Sequence, residues 1–74
     1  MRGIYGRKGE QFAYLHGNML FTLEGEHTGY LREEFIVDIK ENQIWRVVGD
    51  AIYAIDGNET IGFIGSEIHQ HYIE

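Results

Sequence analysis

The sequence predicts an all-β domain built from four tandem β-hairpins, and three observations support this prediction. Apolar pairs recur every sixteen residues, a turn glycine follows most of these pairs, and ten glycines are spread along the 74-residue chain. Dispersed glycines leave no clean helical window. Turn signals about every eight residues are typical of short strands joined up and down. We therefore expect one domain over residues 1–74.

A sixteen-residue repeat organises the chain. Four blocks cover residues 4–19, 20–35, 36–51 and 52–67, and a stub, 68–74, follows them. Such self-similarity indicates a repeat architecture, here a radial or meandering array of hairpins, with a two-layer sandwich as the alternative. Apolar residues within the blocks alternate with period two, as strand residues on one face do. Each block opens with an apolar pair: Ile4-Tyr5, Leu20-Phe21, Ile36-Val37 and Ile52-Tyr53.

Two series of turns are expected, one within the blocks and one between them. Lys8-Gly9, Glu24-Gly25 and Asp56-Gly57 suit type I′ turns, which need positive φ at both central residues. Block three has Glu41 at the glycine position and is expected to turn differently, with Asn42 as the candidate left-handed residue. The breaks between blocks are Gly17-Asn18, Glu33-Glu34, Gly49-Asp50 and Gly65-Ser66.

An array of hairpins must close on itself or protect its two ends. We interpret Tyr5 and Arg7 as lying at a solvated end of the array. The stub 68–74 is predicted to be a short C-terminal closing strand that pairs with block one or block four. Deleting Gln70 to Glu74 is therefore expected to lower stability or to change the subunit number.

The order of features within a block resembles that of a known family. An apolar pair, a turn glycine followed by Glu or Asn, and then Gly29-Tyr30-Leu31 resemble the four-fold beta flower proteins, in which hairpins form petals around a central axis. The resemblance covers residues 4–67. Block three departs most, with Trp45-Arg46 where block two has Gly29-Tyr30. The resemblance implies a fold and no established activity. A looser similarity is to the aromatic hairpin repeats of choline-binding cell-wall modules.

Composition and charge exclude several function classes. Six basic and twelve acidic residues give a net charge of −6, which argues against nucleic-acid binding. No apolar run approaches the ~18 residues of a membrane span, and no signal-peptide pattern opens the chain, so we expect a cytoplasmic protein. The absence of cysteine excludes disulfides and thiolate metal sites.

A non-catalytic structural or protein-interaction module is the expected function. No acid pair or triad is recognisable, and Ser66 has no base that can be placed beside it, so an enzyme is not expected. No cofactor is expected either. A chain this short has a marginal core, which makes a homo-oligomer the expected form.

Repeated aromatic side chains suggest an alternative, a module that binds a small ligand. A stacked aromatic surface can bind a sugar ring or a cationic head group. The competing interpretation is that these rings fill the core between hairpins. The candidate residues are Tyr14, Tyr30, Trp45 and Phe63.

The C-terminal stub supplies the remaining candidates. His69 and His71 would share one face of a strand and are candidate metal ligands, unless they form an exposed tail. The candidate interface residues are Trp45, Ile68, His69, His71 and Tyr72.

Basic residues are concentrated near the N-terminus. Arg2, Arg7 and Lys8 lie in the first nine positions, and no Lys or Arg follows Arg46. This asymmetry suggests head-to-tail association, with ordinary screened surface charge as the alternative.

Overall fold

The computed structural model describes residues 1–67, which form a closed antiparallel barrel of eight strands. Each strand pairs with its neighbours in sequence, and the last described strand pairs with the first. The predicted all-β class and its four hairpins are confirmed. The strands are β1 (Arg2–Gly6), β2 (Gln11–His16), β3 (Met19–Thr22), β4 (His27–Arg32), β5 (Phe35–Asp38), β6 (Gln43–Val48), β7 (Ala51–Ala54) and β8 (Thr60–Glu67).

The first residue of each block fills the barrel interior. Ile4, Ile36 and Ile52 are fully buried, and Leu20 is 5% exposed. They share one cluster with residues of β2 and β8. Burying each such side chain contributes about 1.5–3 kcal/mol. The second residue of each opening pair lies on the other face of its strand, because successive side chains alternate.

A β-bulge recurs at the same place in all four hairpins. The register shifts after the first residue of each opening pair, so one residue of the facing strand has no partner. A bulge bends its strand and increases the local twist, which helps a sheet to close. The four extra residues are Phe12, Thr28, Ile44 and Ile61. All of them except Thr28 pack against the core.

The loops within hairpins one to three share one conformation, and the predicted type I′ turns are wrong. Gly9 and Gly25 have φ of 89° and 93°, but the residues before them do not have positive φ. Each glycine N–H donates to the carbonyl three residues earlier at 2.9 Å. This is a type I turn followed by a left-handed residue, which forms a three-residue hairpin loop.

Glu41 occupies the glycine position in hairpin three, so the expectation of a different turn at Asn42 is also wrong. Glu41 has φ of 70°, and its N–H donates to the Asp38 carbonyl at 2.9 Å, as in the other two loops. The Asp38 carboxylate accepts hydrogen bonds from the N–H groups of Lys40 and Asn42, both at 2.9 Å. These bonds hold the turn in the shared conformation despite the missing glycine.

The fourth loop is one residue longer than the others, and the type I′ turn predicted at Asp56-Gly57 is also wrong, because Asp56 does not have positive φ. The Ala54 N–H donates to Glu59, five residues on, whereas the Gly6 N–H donates to Glu10, four residues on. The extra residue explains why Gly62-Phe63-Ile64 repeats Gly29-Tyr30-Leu31 with a shift of one position.

Three of the four predicted breaks between blocks are turns. Their first residues, Gly17, Glu33 and Gly49, have φ of 63°, 57° and 62°. The fourth, Gly65-Ser66, is not a turn, because β8 continues through it to pair Glu67 with Arg2.

The described strands close the barrel without the stub. Ile4 pairs with Ile64, and Gly6 pairs with Gly62. Block one therefore lies between blocks two and four, and placing Tyr5 and Arg7 at the end of an open array was wrong. The predicted closing strand at 68–74 lies outside the described residues.

Polar contacts reinforce this closing seam. Arg2 Nε donates to the Gly65 carbonyl at 2.9 Å, and its guanidinium pairs with Asp50 at 3.1 Å. The Met1 amino group also forms an ion pair with Glu67.

Candidate functional site

Outward-facing side chains pair across the four seams between neighbouring hairpins. Tyr14 stacks on Phe21 with ring centroids 5.3 Å apart, and Phe63 stacks on Tyr5 at 5.2 Å. The equivalent pairs at the other seams are Tyr30 with Val37 and Arg46 with Tyr53. Such cross-strand pairs each contribute roughly 0.2–1 kcal/mol, and their equivalent positions give the outer face a four-fold pattern.

His27 extends the first stack into a row of rings. Its ring lies 5.4 Å from Phe21 and 4.8 Å, edge to face, from Tyr30. Its Nε2 is 2.8 Å from the Gly29 carbonyl, which fixes the ring orientation. The outer face of hairpins one and two thus carries a continuous aromatic row from Tyr14 to Tyr30.

Arginines cover the rings at the other two seams. The Arg32 guanidinium lies 4.2 Å from the centroid of Tyr30, and that of Arg46 lies 5.0 Å from Tyr53. Arg46 also donates to the Gly57 carbonyl at 2.8 Å. Both rings therefore already have a cation–π partner within the chain.

Arg32 also binds Glu41 through two hydrogen bonds, of 3.1 and 2.8 Å. These bonds lower the pKa of Glu41 and raise the pKa of Arg32. Hydrogen bonds from the Asn42 N–H and side chain, and then from the Lys40 N–H, lower the pKa of Asp38. All three charged groups are thus committed to holding the outer face and the third loop.

The predicted ligand-binding residues do not share one surface. Tyr14, Tyr30 and Phe63 lie on the outer face at equivalent positions. Trp45 instead packs against the core and contacts Phe12 edge to face at 5.9 Å. The structure thus brings three of the four candidates to equivalent seams and places the tryptophan against the core. The candidates Ile68, His69, His71 and Tyr72 lie outside the described residues.

The four hairpin loops meet at one end of the barrel, which sequence reasoning missed. Alternate connections of an up-and-down barrel lie at the same end, so the loops at 7–9, 23–25, 39–41 and 55–58 form a single face. Leu23 and Ile39 lie at equivalent loop positions and are 54% and 49% exposed. The residues of this face occupy the fourth and fifth positions of every block, so the repeat could have identified them. Only closure of the barrel places them at the same end.

The sequence pattern of a family described as "4-fold beta flower protein" matches residues 2–59. The chain belongs to this family. The eight-strand barrel of four hairpins agrees with the petals implied by the resemblance. Searches of curated proteins and of solved structures each found no match. The beta flower description specifies an architecture and assigns no activity.

Polar side chains in the described part of this beta flower are all at least partly exposed. Over residues 1–67, no polar or charged residue is buried, and no three of His, Asp and Glu converge as a metal site would require. Over the same residues, no helix is long and apolar enough to cross a membrane.

Proposed function

We propose that this beta flower is a non-catalytic structural or protein-interaction module that self-associates. One observation carries the proposal: large apolar side chains are exposed on a barrel in which no described polar side chain is buried. Leu23 and Val48 are each 54% exposed, and the exposed fractions of Ile39, Phe63 and Met19 are 49%, 43% and 39%. Of these, Leu23 and Ile39 lie at the same end of the barrel, and exposed apolar side chains that lie together mark interaction surfaces.

Within residues 1–67, the lack of a buried polar side chain and of a group of three metal-ligating residues supports the non-catalytic half of the proposal. Catalysis needs several different groups that act together in one pocket. The charged groups with shifted pKa, Arg32, Asp38 and Glu41, are instead engaged with one another or with their own turn. A cytoplasmic location is part of the proposal and rests on the sequence alone.

Light scattering on a sizing column over a range of concentrations tests the self-association. The monomer mass is 8.6 kDa, and we expect the measured mass to rise above it as concentration increases. A mass of one subunit at every concentration would contradict the proposal.

Binding of a cationic or carbohydrate ligand is the second candidate. The observation that favours it is that the Tyr14–Phe21 and Tyr5–Phe63 stacks lie outside the barrel, whereas arginines already cover Tyr30 and Tyr53. Trp45 packs against the core, so its fluorescence is a poor reporter. Choline and a panel of sugars should instead be titrated while tyrosine ring NMR signals are followed. Saturable shifts that Phe63→Ala or Phe21→Ala abolishes and Val48→Ala preserves would support binding at the corresponding stack, and flat titrations would contradict it.

Metal binding through His69 and His71 is the least favoured candidate. It is tested by metal analysis of protein purified without chelators and by melting with added zinc. Metal-free protein whose melting temperature does not change would reject it.

A further inference from the structure

We propose that the loop end of the barrel is the face through which two copies of this chain associate, around a two-fold axis perpendicular to the barrel axis. This inference rests on the proposed self-association and specifies its surface. The fifth position of each block lies at a loop tip, and the four tips are exposed. In order around the barrel, they carry alternating charge: Lys8, Glu24, Lys40 and Asp56.

A ring of four alternating charges is complementary to its own inverted copy. A two-fold axis that passes between adjacent loops places each tip of one copy on a tip of opposite sign in the other. Lys8 then faces the partner's Glu24, and Lys40 faces the partner's Asp56. Each contact occurs twice, as in any isologous interface, so all four tips of both copies are paired.

Apolar side chains next to the tips strengthen this match. Leu23 and Ile39 are about half exposed, and Ile55 is partly exposed at the equivalent position of the fourth loop. With the same axis, Ile39 faces the partner's Ile55, and Leu23 lies over the aliphatic part of the partner's Arg7. Burial of these side chains supplies an apolar contribution that exposed ion pairs lack.

The opposite end of the barrel also exposes apolar side chains, Met19 and Val48, but its turns do not offer this charge complementarity. Its turns carry Asn18, Glu33, Glu34 and Asp50, and Asp50 already pairs with Arg2 of the same chain. Head-to-tail stacking would therefore bring an acidic end against a face with alternating charges. The loop end favours head-to-head pairing.

Other charges on the loop end limit the affinity. Glu10, Glu26 and Glu59 lie at the loop bases and repel the same groups of a facing copy. Arg32 neutralises Glu41 through its two hydrogen bonds. We therefore expect a dimer that dissociates on dilution.

Charge exchange between two variants tests the proposal by sedimentation equilibrium. Lys8→Glu alone and Glu24→Lys alone each turn two attractive contacts into repulsive ones, and we expect dimer dissociation constants at least tenfold weaker than the native value. Mixed in equal amounts, they can form a heterodimer in which all tips are again paired, so association should return. Glu34→Lys makes the same charge change at the other end of the barrel and should leave the dimer intact.

The outcomes separate this inference from the proposed function. If the native chain dimerises and both loop variants dimerise equally well, the loop-end face is wrong and self-association stands. A native chain that is monomeric at every concentration overturns both. A third outcome is that Lys8→Glu associates with Asp56→Lys but not with Glu24→Lys. The loop-end face is then supported, and the two-fold axis passes between loops two and three instead of between loops one and two. Lys40→Glu mixed with Asp56→Lys provides an independent repeat.

Discussion

At the scale of single residues, two glutamates adopt a backbone conformation that, within residues 1–67, is otherwise found at glycine. Glu41 replaces the loop glycine of hairpin three, and Glu33 occupies the turn position held elsewhere by Gly17 and Gly49. Left-handed φ costs a residue with a Cβ about 1–2 kcal/mol. Glu41 gains two hydrogen bonds from Arg32 in this position. These hydrogen bonds between hairpins two and three offset part of the cost of the left-handed conformation.

Replacing Glu33 by glycine should stabilise the protein. Glu33→Gly removes the left-handed strain, so we expect the free energy of unfolding to rise by about 1 kcal/mol. Urea unfolding measures the change. The matched control is Glu34→Gly in the same turn, where φ is not positive and added glycine should destabilise the protein. Equal effects of the two substitutions would contradict the strain.

Acid should weaken the third loop through Asp38. Hydrogen bonds from Asn42 lower the pKa of Asp38 in the folded state, so its contribution is present above its ordinary value of 3.8 and is lost as pH falls through the folded pKa. Asp38→Asn keeps an oxygen acceptor but removes the titration. We expect a smaller loss of stability below about pH 4 in this variant, measured by urea midpoints. An unchanged pH profile would contradict this assignment.

At the scale of strands, glycines permit two close approaches between neighbouring hairpins. A Cβ on Gly29 would meet the Val37 carbonyl oxygen, and a Cβ on Gly62 would meet that of Tyr5. Both glycines pair with the first residue of their block, Gly29 with Leu20 and Gly62 with Ile52, although the longer fourth loop shifts Gly62 by one position. The Gly-Tyr-Leu and Gly-Phe-Ile patterns therefore have a steric reason, because backbone atoms cannot move aside as side chains can.

Alanine at either glycine should destabilise the barrel. Gly29→Ala and Gly62→Ala are each expected to lower the free energy of unfolding by about 1–3 kcal/mol, because the strands must separate to admit the methyl group. Thermal or urea unfolding measures the loss. Gly65→Ala is the control in β8, since its methyl group meets mainly the movable Tyr5 ring. A cost at Gly65 as large as that at Gly62 would argue against the backbone clash.

At the scale of the whole molecule, closure gives every hairpin two neighbours. An open repeat array has two weak ends, whereas β1 here pairs with both β2 and β8. The ends of an open array exchange amide hydrogens faster than its centre. In a closed barrel, the terminal hairpins should be as well protected as the internal ones.

Hydrogen exchange under native conditions tests closure. We expect amides of β1 and β8 to exchange about as slowly as those of β4 and β5. Gly62→Ala should selectively speed exchange in β1 and β8, because it forces apart the seam between them. Fast exchange in β1 and β8 of the unaltered protein would show that the barrel opens at this seam.

Much of the fold could be predicted from the sequence, because local chemistry carries it. The sixteen-residue spacing, the β propensity and three of the four breaks between blocks were correct. Turn conformation was less predictable. Glu41 has a positive φ, which its residue type does not favour. Its loop is held by hydrogen bonds between Asp38 and Asn42 and between Arg32 and Glu41, and the second of these joins two different hairpins. The candidate aromatic residues could be named but not placed, since period-two alternation does not say which face is inside.

The sequence by itself determined that this protein consists of four equivalent hairpins with Ile4, Leu20, Ile36 and Ile52 at equivalent positions. The tertiary structure alone decided that these four residues lie inside and that their neighbours, such as Tyr5 and Phe21, face outward. Both members of each opening pair are apolar, so only the curvature of the sheet distinguishes them. Closure likewise depends on the edges of β1 and β8 meeting across about sixty residues. It is this meeting that gathers four separate loops into one face.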